Sequence, residues 1–272
     1  MTRSIRQSLS ERLLRVVKLH GHTFIPVLTA RSTVLDLGAN VGGFSRAIRS
    51  RFGCPTRMVE ANPALADALR ADFGDHVLHA AAVSVPGDVT FQIDDNPEAS
   101  RVVAGAGPAS SGSALSGPSR PGCVTVRGMT LAQILEHFAL PHVDLLKVDI
   151  EGAELGLLRH TPPEILARCD QVTVEFHNLA GVGSEQDVRD VVSHLRSLGF
   201  VGGRFDGISA RSRHSIWKDH LNWLFVNTRA PSVSTSERML ALGPSRMVRW
   251  GMQLARRGVA SAKGEIPGAG AA

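Results

Sequence analysis

The sequence predicts an α/β protein organised around a mostly parallel sheet, and three observations predict it. Short apolar runs alternate with segments of helical periodicity. The first apolar run ends in a glycine-rich turn. Two later apolar runs end in acids and a histidine, at the strand ends where open α/β sheets bind ligands.

Residues 8–19 place Leu9, Leu13, Val16 and Val17 at helical spacing behind Ser10, so residues 1–31 read as a helical extension. Val34–Leu37 reads as the first strand, and the turn after it opens a helix near Phe44–Phe52. Arg57–Glu60 is a second strand, Pro63–Phe73 a second helix, Val77–Ser84 a third strand and Asp88–Ile93 an alternating fourth segment. The β-α-β-α-β order calls for parallel strands with right-handed crossovers. Residues 97–122 are rich in Gly, Ala, Ser and Pro and poor in large apolar side chains, the composition of a mobile loop. The alternation then resumes. Met129–Phe138 is helical with Thr130 as N-cap, Val143–Val148 a buried strand, Ala153–His160 a helix and Gln171–His177 a strand. Ser184–Leu198 is a helix closed by Gly199, and Asn222–Asn227 is the last strand. Residues 32–228 form the main domain. Residues 229–272 form a basic tail with one helical segment, Ser245–Val259.

Composition narrows the function. The chain has 272 residues, 43% hydrophobic and 20% charged, enough for a sizeable core. No run reaches the about 18 apolar residues of a membrane span, and Arg12, Arg15 and Lys18 interrupt what a secretion signal would need. Cys54, Cys123 and Cys169 are few, scattered and odd in number, which suits a reducing cytoplasm. The net charge of +5 is divided unevenly. Residues 1–33 carry six Arg/Lys against one Glu, and residues 229–272 carry seven against two. The central body is therefore mildly acidic, which argues against a nucleic-acid substrate.

The turn reads Asp36-Leu37-Gly38-Ala39-Asn40-Val41-Gly42-Gly43. Gly38 and Gly42 permit positive φ and close backbone approach, and the turn ends at a helix N-terminus. Glu60 follows 22 residues after Gly38, at the end of the next strand, where a carboxylate can accept two hydrogen bonds from a ribose diol. The glycines alone describe a tight turn equally well; the paired acid points to a nucleoside-bearing cofactor. The run is G-x-x-x-G, so the dinucleotide fingerprint is absent. Asp36 before the first glycine, with Asn40 in the turn, suits S-adenosylmethionine better. An NAD(P)-binding oxidoreductase stays open as an alternative, as does a non-catalytic nucleoside-binding module.

Further on, Leu145-Leu146-Lys147-Val148-Asp149-Ile150-Glu151-Gly152-Ala153-Glu154 carries an apolar strand into three carboxylates. Asp149 and Glu151 lie beyond the strand end, whereas Glu154 falls in the first helical turn, complementing the dipole. Lys147, inside the apolar run, reads as a partner for a neighbouring carboxylate. Glu175 and His177, two residues apart, share one side of the next strand. His177 titrates near neutrality and is a candidate general base. An Asp/Glu/His grouping can also hold a divalent metal, but spacing of this kind assigns none.

DLGANVGGF (36–44), VEANP (59–63), LLKVDIEGAE (145–154) and VTVEFHN (172–178) together resemble the successive motifs of FkbM-type methyltransferases. The resemblance covers roughly residues 32–228. It implies a class I methyltransferase (Rossmann-like) sheet, mostly parallel with an antiparallel C-terminal strand and helices on both faces. It also implies S-adenosyl-L-methionine as cofactor and O-methylation of a hydroxyl on a sugar, glycan or secondary metabolite. By the same resemblance, Gly38, Asn40 and Gly42 contact the methionine part, Glu60 holds the ribose and Asn62 flanks the adenine. Asp149, Glu151 and His177 face the acceptor. Asp149 or His177 then takes the acceptor's proton while Glu151 orients it. The run Leu158-Arg159-His160 departs from the family's usual Leu-x-Gly pattern. The enlarged 97–122 segment lies where acceptor selection is expected. The basic tail has two readings: a peripheral contact with an anionic membrane or glycan carrier, or a helix packed on its own domain.

Overall fold

A computed structural model describes residues 16–94, 100–104, 122–177, 184–205 and 220–230. The strands and helices are β1 (Val17–Leu19), β2 (His22–Phe24), β3 (Val34–Leu37), α1 (Gly43–Phe52), β4 (Thr56–Glu60), α2 (Pro63–Phe73), β5 (Val77–His79), β6 (Ala81–Ala82), β7 (Gly87–Gln92), β8 (Arg101–Ala104), β9 (Cys123–Met129), α3 (Leu131–His137), β10 (Val143–Val148), α4 (Glu154–His160), α5 (Pro163–Leu166), β11 (Cys169–His177), α6 (Glu185–Ser197), β12 (Phe200–Arg204) and β13 (His220–Asn227).

The main sheet has seven strands in the order β12-β13-β11-β10-β3-β4-β5. Strands β11, β10, β3, β4 and β5 pair in parallel, and β13 runs antiparallel to both neighbours. This is the class I methyltransferase arrangement that the motifs imply. The chain leaves β3 towards one edge and β10 towards the other, so the strand order reverses between these two. Ligands of such sheets bind beyond that point.

Both faces of the sheet are covered because the inner strands are apolar on both sides. Leu35, Leu37, Leu146, Val148, Val172 and Val174 pack on one face with α3, α4 and α6. Val34, Leu145, Leu224 and Val226 pack on the other with α1 and the β1–β2 hairpin. The helix boundaries follow local chemistry. Asn62 caps α2, with Pro63 at its first position; Thr130 with Gln133 and Ser184 with Asp187 form capping boxes for α3 and α6. Gly53, in the left-handed region, returns its N–H to Arg49 O and ends α1.

Several expectations change. The helix over 8–19 lies largely outside the described residues, and its end is instead β1, hydrogen-bonded to β2. The hairpin is pinned to the sheet by buried Gln171, whose side chain accepts from Ile25 N at 2.8 Å and donates to Ile25 O at 3.2 Å. The strand expected over 77–84 divides. Its first half, β5, ends the main sheet, and β6 crosses into a second sheet of order β6-β9-β7-β8. Strand β8 falls inside the segment read as a loop at 97–122, where Val102 pairs with Phe91. Composition hid it, because one four-residue strand is a small part of a small-residue run. Residues 97–99 and 105–121 of that segment, and the tail beyond Ala230, lie outside the described residues. Among the described residues no helix is long and apolar enough to cross a membrane.

Candidate active site

The turn after β3 is shaped by its immediate sequence. Gly38 has φ +77°, and a Cβ there would meet the Asp149 carbonyl oxygen at 1.7 Å, so only glycine fits between β3 and β10. Asn40 also has positive φ, +49°, a conformation asparagine tolerates better than most residues. Its N–H donates to Glu60 Oε2 at 2.7 Å, and Asn62 N–H donates to Glu60 Oε1 at 2.8 Å. The two strand ends are thus tied through one carboxylate. Burial pushes the Glu60 carboxyl up, while the Asn62 and Asn40 N–H groups pull it back.

Asp36 sits beneath the turn and is fully buried. Its Oδ2 accepts from Ser45 Oγ at 2.6 Å, and its Oδ1 lies 3.0 Å from Lys147 Nζ. The pair follows from register, since Asp36 and Lys147 are partners across β3 and β10. Lys147 also donates to Gly38 O at 2.7 Å and lies 3.3 Å from Asp149 Oδ2. Burial opposes the ammonium, but Asp36 and Asp149 outweigh it and hold Lys147 firmly charged. The structural pairing expected for this lysine is what the strand contains.

The loop after β10 is held from behind. Glu154, fully buried at the start of α4, turns its carboxylate back onto Ile150 N–H at 3.0 Å and Gly152 N–H at 3.1 Å. It also accepts from His177 Nδ1 at 2.9 Å. The residue between the two gripped N–H groups, Glu151, has φ +51°. His177 Nε2 lies 3.5 Å from Glu151 Oε2 and 3.7 Å from Asp149 Oδ1. On the other side of Asp149, His22 of β2 places Nε2 at 3.2 Å from Oδ2 and 3.9 Å from Glu175 Oε2. Burial raises the Asp149 carboxyl, yet Lys147 and the two histidines outweigh it and hold it well below the usual carboxylate range.

These two loops meet at a cleft of about 570 Å³, counting its open mouth, within the range of small-molecule sites. Gly38, Asn40, Glu60, Asp149 and Glu151 supply its polar lining, and Leu65, Ala81, Phe91 and Val102 an apolar wall. The second sheet therefore contributes directly to the site. Asp36, Gly42, Asn62 and His177 do not line the cleft. Gly42 is the left-handed N-cap of α1, and Asn62 spends its Oδ1 on Ala64 and Leu65 N–H.

The lining fits S-adenosylmethionine in kind. Asn40 Oδ1 is buried without a hydrogen-bond partner, which an amine or hydroxyl donor would satisfy. Glu60, already oriented by two N–H groups, keeps lone pairs for a ribose diol. Asp149 belongs to two groups of potential metal ligands, with His22 and Glu175 or with Glu151 and His177. The Lys147 ammonium already supplies the positive charge beside it.

Sequence reasoning missed His22 and the grip of Glu154. His22 meets Asp149 across 127 residues, and no spacing rule reaches that far. Glu154 was legible only as a helix-start acid.

No curated protein matches the chain. Among solved structures it is similar to a precorrin-6y C5,15-methyltransferase from Geobacter metallireducens GS-15, at 12% identity and a TM-score of 0.37, over 83% of this chain and 87% of that one. It is also similar to a TehB-like SAM-dependent methyltransferase from Corynebacterium glutamicum, at 13% identity and a TM-score of 0.34, over 72% and 80%. The family model for the methyltransferase FkbM domain matches residues 36–201, from the turn acid Asp36 through Glu60, the β10 loop and His177 to β12. Since that match spans more than half of the chain, the protein belongs to the FkbM methyltransferase family.

Proposed function

We propose that this protein binds S-adenosylmethionine at the Gly38–Glu60 end of the cleft and O-methylates a hydroxyl of a sugar, glycan or secondary metabolite. The observation that carries the reading is the meeting of the Asn40 turn and the Glu60 carboxylate beside the point, between β3 and β10, where strand order reverses. Bound there, the cofactor supplies a methyl group on a positively charged sulfur. Glu60 holds the ribose, Asn40 receives the amino-acid end, and Leu65, Ala81, Phe91 and Val102 take the flat base. Asp149 and Glu151 then face the acceptor. Alignment of the acceptor oxygen supplies most of the rate, and a nearby base removes its proton.

Calorimetric titration with S-adenosylmethionine and S-adenosylhomocysteine, with NADH as control, tests the reading. Micromolar binding of the sulfur nucleosides alone supports it. NADH binding instead turns the site into that of an oxidoreductase, and binding of none removes the cofactor assignment.

A further inference from the structure

We propose that the acceptor lies in the crevice between the second sheet and α4, and that it carries its hydroxyl on an aliphatic body rather than being a sugar or glycan. This deepens the methyl-transfer reading and rests on it.

The crevice holds about 940 Å³, counting its open mouth. One wall comes from the second sheet, through Val83, Val85, Val89 and Val102, and the other from α4, through Leu155 and Gly156. It adjoins the cleft already described: Val102 lines both, and Glu151 of the cleft is followed by Gly152 of the crevice. A compound lying along the crevice therefore brings one end to Asp149 and Glu151, beside the place proposed for the cofactor, and rests its body on the valines. Val85 is 50% exposed next to buried Val83 and Val89, so this wall ends in apolar surface that an occupant would take out of water.

Gly156 is a second, separate sign. A glycine inside a helix is unfavourable relative to alanine. A Cβ at Gly156 would meet only Ser84, at 3.6 Å from Oγ and 3.9 Å from Cβ, which are ordinary contact distances. Packing within the protein does not demand the glycine; an open crevice does. The polar groups are few. Ser84 offers one hydroxyl, while Arg159 in the last turn of α4 and Asp187 of α6 pair with each other at 3.3 Å. The described residues that line the crevice include no aromatic ring and no amide side chain. A sugar carries hydroxyls around its whole ring and needs a partner for each one it buries, and a wall of valines supplies none. An alkyl or alicyclic body loses no hydrogen bonds there and gains by leaving water.

The test is methyl NMR of the full chain saturated with S-adenosylhomocysteine, titrated with n-butanol, n-hexanol and n-octanol and, separately, with methyl glucoside. The proposal expects the alcohols to shift the methyl signals of Val85, Val89 and Leu155, with affinity rising about twofold or more per added methylene. The carbinol protons of bound octanol should give Overhauser contacts to S-adenosylhomocysteine, and its terminal methyl should give them to Val85. Gly156→Leu, which fills the crevice, and Val85→Asp, at a half-exposed position, should each weaken octanol binding about tenfold or more, with S-adenosylhomocysteine affinity kept within about twofold. In wild type, three results overturn the proposal without needing any variant to fold. They are methyl glucoside shifting the same signals at equal or higher affinity, alcohol affinity that does not grow with chain length, and octanol lying with its carbinol end away from S-adenosylhomocysteine. Octanol affinity unmoved in both variants overturns it too. So do signals that octanol leaves in place in the full chain but that move when residues 105–121 are deleted, since the crevice is then the seat of that segment. Calorimetry on the same wild-type sample separates the two levels: no S-adenosylhomocysteine binding sinks the methyl-transfer reading and this inference together. Binding with no response of the crevice to the alcohols sinks the inference alone.

Discussion

Glu60 and Glu151 line the same cleft and both are carboxylates at strand ends, yet they are held by different means. Glu60 accepts from the Asn40 N–H, 20 residues before it, and the Asn62 N–H, two after it, so its orientation is a property of backbone within one β-α-β unit. Glu151 faces a histidine ring from another strand, which is itself fixed by a third acid on a helix. Fixed dipoles orient the first; titratable side chains orient the second. The Glu60 end of the cleft, proposed for the cofactor, should therefore change little with pH, while the Glu151 end, proposed for the acceptor, should respond to it.

Lys147 joins the two regions, touching Asp36, Gly38 O and Asp149. Lys147→Met leaves Asp36 buried with its charge partner gone, and should lower stability by about 3–5 kcal/mol in chemical denaturation. A loss below about 1 kcal/mol would mean that the two loops do not depend on a shared ion pair. Gly38→Ala comes next. It combines backbone strain with a clash against the Asp149 carbonyl, for an expected loss of roughly 2–4 kcal/mol. Gly74→Ala is the control: it has positive φ, +57°, but nothing within 4 Å of its Cβ, and should lose only about 1–2 kcal/mol.

Glu60→Ala should weaken S-adenosylhomocysteine binding by about 1.5–3 kcal/mol, read by calorimetry. An unchanged affinity would remove Glu60 from the cofactor end. The acceptor end predicts a pH signature. Folding raises the proton affinity of Glu151 to about 7 and of His177 to about 9. Both contributions to stability are therefore complete at low pH. The Glu151 part is lost as pH rises from about 4.5 through 7, and the His177 part as it rises from about 6.5 through 9. Stability should fall on the order of 2 kcal/mol over this window, and E151Q should remove its lower part. A flat profile from neutral to alkaline pH would break the comparison. The smallest effect belongs to Asn62→Ala. Losing the cap of α2 should cost about 1 kcal/mol in stability. Cofactor affinity should stay far closer to wild type than in Glu60→Ala, because Asn62 does not line the cleft.

The glycine-turn end of the cleft was legible because its parts are close in the chain. Gly38, Asn40 and Glu60 belong to one β-α-β unit, whose spacing the turn and crossover dictate. The same reasoning placed Asp36 and Asn62 at the ligand, and the structure places both behind the lining, as an ion-pair partner and a helix cap. A motif says which residues surround a ligand, not which of them turn towards it. The second sheet was less legible: β6 has two residues and β8 has four, too few to show a period of two.

The sequence by itself determined the fold class, the succession of the inner strands along the chain and the acids and histidine at their ends. Apolar runs, caps and turn glycines are local in cause, and local sequence is enough to specify them. Only the tertiary structure decided which partner each acid has. Register set Lys147 against Asp36, the hairpin brought His22 to Asp149, and the start of α4 turned Glu154 onto His177. The physical reason is that a carboxylate's proton affinity depends on burial and on charges within a few ångströms. Those neighbours come from parts of the chain that only folding brings together.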